Sequence, residues 1–320
     1  MLFKQKFGNT RKWQTVILFS AVILSTNKVF ADSPSDLIKK VGKDIAVPYV
    51  QPLVTSIGTA MGGELFHTAN AHEPLGFDIG IKVMIVPIPD EAKTFEGTFD
   101  VPVRSGGTDV TVKAKTKGKA QTVLGENKET DLELVSAPSG VTVTSLPKIP
   151  GGINLPLAPL GVLQASVGIY KGTEIMVRGM FLPAVLKDDL ILAGGGIKWE
   201  FTDIIPGVSE FVNIAPQFAY QILRLGEVVN GNTLSFNIHA STDFIPVVSP
   251  YLGIGFEKTS FDLEYEFEGT GENIQLSVDG ENSFRAAFGI AIRLAFIRLN
   301  FDYNIGKFSS FTGGLAVSIR

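Results

Sequence analysis

From residue 75 onward, apolar and polar positions alternate with a period of two. Phe77, Ile79, Ile81, Val83 and Ile85 interleave with Asp78, Gly80, Lys82 and Met84. Leu234, Phe236, Ile238 and Ala240 oppose Ser235, Asn237, His239 and Ser241, and Phe311, Gly313, Leu315, Val317 and Ile319 close the chain. Such alternation marks half-buried antiparallel strands, in water or in lipid. The pattern predicts ten strands, at 75–86, 162–171, 173–182, 189–202, 210–222, 233–244, 248–267, 274–296, 298–306 and 309–319. Before residue 75 the period is helical. Val50, Leu53, Val54, Ile57 and Met61 recur three or four apart, with Gly58 and Gly62 one turn from each other. Pro48 and Pro52 are expected to split the 32–66 helical stretch, the second piece starting near Tyr49.

Residues 88–160 break the strand rhythm. Phe95–Val103 and Asp109–Lys117 predict a hairpin around Ser105-Gly106-Gly107, followed by short strands at Leu132–Val135 and Val141–Val143. A proline-rich connector, Pro147 to Pro159, returns the chain to the strand series. The block reads as an insertion with its own small sheet.

Three features favour lipid over water. The strands have about ten residues or more, as a tilted membrane strand needs. Short turns near Lys171-Gly172, Ile245-Pro246 and Ile297-Arg298 alternate with longer connections at 87–161, 183–188, 223–232 and 268–273. Charged residues take the polar face: Arg178 and Lys198, then Arg285 and Arg293. Closing the sheet would satisfy every backbone group inside a membrane. The expected fold is therefore all-β: an antiparallel transmembrane-type β-barrel of about ten strands, with a short N-terminal helix and an inserted small β subdomain. A soluble β-sandwich, periplasmic or secreted, is the alternative. It is favoured by a thin aromatic girdle of two tryptophans and six tyrosines and by the ending Ser318-Ile319-Arg320.

The N-terminus reads as an export signal. Lys4, Lys6, Arg11 and Lys12 precede the apolar run Thr15 to Ser25, and Val29-Phe30-Ala31 suits cleavage before Asp32. The organisation is then 1–31 signal peptide, 32–74 N-terminal helical segment and possible lumen plug, and 75–320 barrel with the insertion at 88–160. The outer membrane of a Gram-negative-type bacterium is the expected destination, with outer-membrane lipid and the barrel-insertion machinery as partners. The absence of cysteine excludes disulfides, thiol catalysis and thiolate metal sites. A net charge of −4 argues against a nucleic-acid partner.

Several motifs carry a resemblance. They are His72 to Phe77 (HEPLGF), Val86 to Phe95 (VPIPDEAKTF), Pro150 to Pro156 (PGGINLP), Gly172-Thr173-Glu174, Gly280 to Arg285 (GENSFR) and Asp302 to Lys307 (DYNIGK). With them the chain, from about residue 47 to its end, resembles a family of exported bacterial proteins of unknown function. The resemblance implies an outer-membrane-type barrel and brings no catalytic residues.

Candidate chemistry is sparse. Arg178, Lys198, Asn237, His239, Ser241, Arg285 and Arg293 are expected to line the lumen. Val50, Leu53, Val54, Ile57, Gly58 and Met61 would form the plug helix, with Gly194 to Gly196 giving it clearance. Asn237, His239, Ser241 and Asp243 share one strand face, but i, i+2 neighbours stand about 7 Å apart, too far for a serine–histidine pair without help from another strand. His67 and His72, with Glu64 and Glu73, match no metal-ligand spacing. The ladder Lys113, Lys115, Lys117 and Lys119 could meet an anion. No catalytic residue, metal or cofactor is expected. Three functions follow: a narrow channel or binder for a small apolar ligand, a barrel displaying the insertion as an interaction module, and an embedded hydrolase. An apolar cavity beside a luminal helix would favour the first. A filled lumen with an ordered insertion would favour the second. A hydrogen bond from His239 to a serine would favour the third.

Overall fold

The structure, a computed structural model, describes residues 41–63, 65–185, 188–202, 212–226, 228–242, 247–266 and 273–319. The expected signal segment, residues 32–40, Glu64 and Asp243 lie outside the described residues. A helix, α1 (Lys43–Gly62), precedes the strands β1 (Phe77–Pro87), β2 (Thr94–Phe95), β3 (Thr98–Ser105), β4 (Thr108–Thr116), β5 (Ala120–Gln121) and β6 (Leu132–Ser136). There follow β7 (Leu157–Tyr170), β8 (Thr173–Val185), β9 (Asp188–Trp199), β10 (Asn213–Leu225), β11 (Val229–Ser241) and β12 (Val248–Glu266). The chain ends with β13 (Asn273–Asp279), β14 (Phe284–Leu294), β15 (Ile297–Ile305) and β16 (Ser310–Ile319).

Ten strands close into a barrel in the order β1-β7-β8-β9-β10-β11-β12-β14-β15-β16. The closing seam pairs Phe77 with Ile319 and Ile85 with Phe311, all antiparallel. Alternation decides which way each residue points. Phe284, Phe288 and Ile290 are outward and 41–53% exposed, while Arg285 is inward and 5% exposed. Ile292 and Arg293 at the end of the same strand are only half-buried. Outward apolar residues left open around a closed wall are what lipid requires and water penalises.

Three expectations need correction. The 274–296 segment is two strands, because Gly280 to Ser283 leave the ladder: β13 extends the outer part of β12, from Ser260 to Glu266, and β14 takes its lower part, from Val248 to Phe256. The proline-rich connector ends at Pro156, since Leu157, Ala158 and Pro159 already pair with Pro87, Val86 and Ile85. Val141–Val143 forms no strand, although Thr130 and Ile149 pair beside it.

α1 also departs from expectation. It runs unbroken through Pro48 and Pro52. Each proline lacks the N–H that would close a helical bond, so carbonyls on the preceding turn need other donors. The neighbouring Tyr49 carbonyl accepts a bond from outside the helix, from the Val123 N–H at 2.9 Å. Further along, Thr55 and Thr59 hydroxyls donate back to the carbonyls of Gln51 and Thr55 at 3.0 and 2.7 Å.

The insertion holds a three-stranded sheet, β3-β4-β6, and the β2–β5 pair. Gly106 and Gly107, at φ 61° and 88°, make the two-residue turn between β3 and β4. The insertion sits at the end of the barrel where β1 stops, the insertion end. The other end carries tight turns at Lys171-Gly172 and Ala295-Phe296, and we refer to it as the turn end. The β8–β9 and β10–β11 connections at the insertion end, expected to be long, are just as short because the strands extend further. The 200–212 connection at the turn end is the long exception.

Candidate functional site: the plugged lumen

The N-terminal segment threads the barrel from the insertion end to the turn end. At the top, the Tyr49 hydroxyl donates to the Gly151 carbonyl at 2.9 Å. Val41, Ile45, Val50 and Val54 share one buried apolar cluster with Val101, Val112, Ala114, Val123 and Ile149 of the insertion. Lower down, α1 lies against the wall at its glycines. A Cβ at Gly58 would fall 2.4–2.8 Å from Thr259 side-chain atoms, and one at Gly62 would meet the Glu257 carboxylate. Leu53 and Ile57 pack half-buried against the same cluster, and Met61 is fully buried. Gly194 and Gly196 do not provide the clearance expected of them. The space over Gly194 is taken by Gln221 and that over Gly196 by Met176.

Helix C-termini leave carbonyls unpaired and carry partial negative charge. The wall answers with Arg178 and Gln221. Arg178 Nη1 donates to the Gly63 carbonyl at 2.9 Å, its Nη2 donates to the Met61 carbonyl, and its Nε holds Gln221 Oε1 at 2.6 Å. Gln221 Nε2 donates to the Met61 carbonyl at 2.6 Å.

Below the helix the chain continues through a set of buried charges. Lys198 Nζ donates to the carbonyls of Asn70 and Thr68 at 2.6 and 3.3 Å and pairs with Glu174 at 2.9 Å. Glu174 accepts the His72 N–H at 3.1 Å, and Glu200 accepts that of Ala71 at 2.6 Å. His72 Nε2 lies 2.9 Å from Asp78 Oδ2, and His67 Nε2 lies 3.6 Å from it. Arg298 sits 3.7 Å from the same carboxylate and donates to His67 Nε2. An arginine can only donate, so His67 accepts there as the neutral ring. Ser241 Oγ accepts the Ala69 N–H at 3.0 Å.

Atoms of His72, Asp78 and Glu174 lie within 4.8 Å of one another, close enough to share a cation. Lys198 and Arg298 already stand against these two carboxylates. These contacts tie residues 68–72 to the barrel wall.

The remaining expected residues lie on the opposite wall. Arg285 pairs with Glu257 at 3.6 Å and donates to Asn237 Oδ1 at 3.2 Å. The His239 ring stacks on Tyr251 at 6.0 Å, and its Nδ1 has no hydrogen-bond partner. No hydrogen bond joins His239 to a serine among the described residues, which removes the geometric support for a hydrolase. The lysine ladder is partly spent: Lys113 pairs with Asp100 at 2.8 Å and Lys115 with Glu133 at 3.2 Å.

Sequence reading missed Asp78, Glu174, Gln221, Glu257 and Arg298. Each takes the inward parity of its strand, so the rule that selected Arg178 and Lys198 would have found them. A cavity of about 760 Å³ lies on the outer wall, bordered by outward Leu252, Phe288, Ile290, Phe301 and Phe311, which are 41–61% exposed. Between them Tyr251, Asp302 and Thr312 turn inward and are buried.

Known barrels show a loose likeness. An outer-membrane channel from Pseudomonas putida F1 aligns over 80% of this chain and 100% of its own, at 10% identity and a TM-score of 0.37. The Ralstonia pickettii toluene transporter TbuX aligns over 78% and 90%, at 11% identity and 0.29. OmpT, an outer membrane protein of Vibrio cholerae, aligns over 75% and 96%, at 9% identity and 0.28. No curated protein matches the chain. One family model does, over residues 10–319, and the chain therefore belongs to that family, a family of unknown function (DUF6588).

Proposed function

We propose that the protein is a plugged outer-membrane platform: a barrel whose lumen is closed by its own N-terminal segment and whose insertion, residues 88–156, is held out as an interaction module. One observation carries this reading. The apolar residues of α1 and those of the insertion form a single buried core, so the plug is also the insertion's foundation. A narrow barrel is filled by side chains unless something is left out. Here the lumen holds a helix and an ionic latch as well. The longer excursions of such barrels commonly face outward, which would direct the insertion outward. The barrel-insertion machinery would assemble the wall around the plug.

The test is conductance. Full chain reconstituted in planar bilayers should show no sustained current, and deletion of residues 43–63 should open steady single channels. A full chain that conducts steadily would overturn the platform reading. The chain has no cysteine, so Asp109→Cys supplies a unique label site. A membrane-impermeant maleimide should mark it on intact cells, and protection until the outer membrane is opened would reverse the orientation.

A gated passage is the second reading. It is favoured by the way the plug is tied in the lumen, through hydrogen bonds and ion pairs that can exchange for water. A small apolar ligand would then cross only with the plug displaced.

A further inference from the structure

Sheet edges expose unpaired N–H and C=O groups, and proteins blunt them with proline, charge or a covering element. The insertion's three-stranded sheet has two such edges, and only one is blunted. On β3, Pro102 has no N–H to offer, and the Asp100 N–H meets the Asp44 carboxylate at 3.4 Å. Gly42 lies so close that a side chain there would come within 3.0 Å of Pro102 and 3.1 Å of the Asp100 carbonyl. The start of α1 therefore covers that edge.

The β6 edge is different. Among the described residues, no backbone hydrogen bond leaves residues 132–136 except toward β4. The returning chain pairs at Thr130–Ile149 and then parts from β6. A cleft of about 400 Å³ remains between β6 and residues 143–147, lined by Leu132, Leu134, Val143, Leu146 and Pro147 together with the polar Asp131, Glu133, Thr144 and Ser145. Leu134 and Val135 are 46% and 52% exposed. Val135 is the bulge residue of the β4–β6 ladder: Lys113 pairs with Ser136 and Ala114 with Leu134, leaving Val135 without a partner on β4.

Lys117 also borders the cleft. Its neighbours Lys113, Lys115 and Lys148 are matched to Asp100, Glu133 and Asp131. Lys117 makes no ion pair among the described residues.

We propose that the β6 edge is a strand-addition site that takes an extended segment of a partner polypeptide, with alternate apolar side chains entering the cleft and a carboxylate reaching Lys117. Free backbone groups specify an extended peptide, since only another strand satisfies them in series. The apolar members of the lining, Leu132 and Leu134, take side chains at every second position, and with Asp131 and Glu133 already matched by Lys148 and Lys115 the Lys117 ammonium selects an acidic one. The inference rests on the insertion being an interaction module and names its binding face.

The test uses the full chain in detergent and a fluorescent probe peptide, acetyl-Thr-Val-Glu-Val-Thr-Val-amide. Saturable binding by anisotropy is expected. It should weaken about tenfold or more in Val135→Pro, at the residue without a partner on β4, and when the probe's backbone is N-methylated. Lys117→Glu should weaken binding of this probe and strengthen that of a probe with lysine in place of glutamate. The N-methylated probe keeps the test informative if Val135→Pro misfolds. Two results would overturn the proposal: binding indifferent to N-methylation, or no saturable binding at all. Dimerisation of the full chain that Val135→Pro abolishes would overturn it too, by making a second copy the occupant. A conducting full chain that still binds the probe would refute the closed platform and leave this site standing.

Discussion

The two halves of the N-terminal segment are held in opposite ways. At the insertion end, α1 is anchored by apolar burial, with Ile45, Val50 and Val54 in one cluster with Val101, Val112 and Ile149. At the turn end, residues 65–78 are anchored by directional partners: Lys198 on the Asn70 carbonyl, Glu174 on the His72 N–H, Arg298 on His67 and His72 on Asp78. Apolar burial is non-directional and spread over many contacts, so it yields to substitution by small steps. A buried ionic cluster adds little net stability when complete and costs heavily when one member is lost. The first end suits a foundation that must stay. The second suits a plug that must fit one position or leave.

The sharpest way to break this contrast is to remove one charge from the latch. In Asp78→Asn, Arg298 and His72 lose their shared carboxylate inside a wall that also presents Lys82 and Lys198. Breaking a buried pair in this way is expected to cost about 3–5 kcal/mol. The measurement is urea unfolding in detergent, followed by heat-modifiable migration on gels. If the loss is as small as that of a surface ion pair, the latch is wet and the contrast between the two ends fails.

A substitution at the seam between the two regions is expected to have a middle effect. The ideal Cβ of Gly58→Ala would lie 2.4–2.8 Å from three Thr259 side-chain atoms. Overpacking of this kind costs roughly 1–3 kcal/mol. The expected readouts are a loosened plug and intermittent current in bilayers. Thr259→Ala removes two of the three clashing atoms and should restore part of the closure. A double variant no better than Gly58→Ala would show that the helix does not seat at Thr259.

Much of the wall was legible in the sequence, because the lipid face and the lumen impose opposite polarity on neighbouring residues. The alternation at Phe284–Arg285 and at Leu234–Ser235 is that signal. The plug's partners were not legible. Which inward residues meet across the lumen depends on strand tilt and closure, so Arg178 could be placed inward but not on the Met61 carbonyl. Pro48 and Pro52 misled for a related reason. A proline removes one helical bond, and the burial that holds α1 through that loss comes from residues far along the chain. The 274–296 run was read through its break because Gly280 to Ser283, although they carry no apolar side chain, leave Val278 and Phe284 on the same parity. The sequence also had no way to show that the Lys113 and Lys115 charges are answered across the sheet.

The smallest expected effect belongs to the foundation. Ile45 is fully buried in the cluster that joins α1 to the insertion. Ile45→Val removes one methylene from a site with many apolar neighbours, and such changes cost about 0.5–1.5 kcal/mol. The loss should be local. Trypsin should reach the insertion faster, cutting at exposed lysines such as Lys117, while the barrel keeps its heat-modifiable band and bilayers stay silent. That combination would show that the insertion can loosen from the plug without opening the lumen. If Ile45→Val instead produced steady current, the two ends would be a single cooperative unit, and the division between an apolar foundation and an ionic latch would collapse.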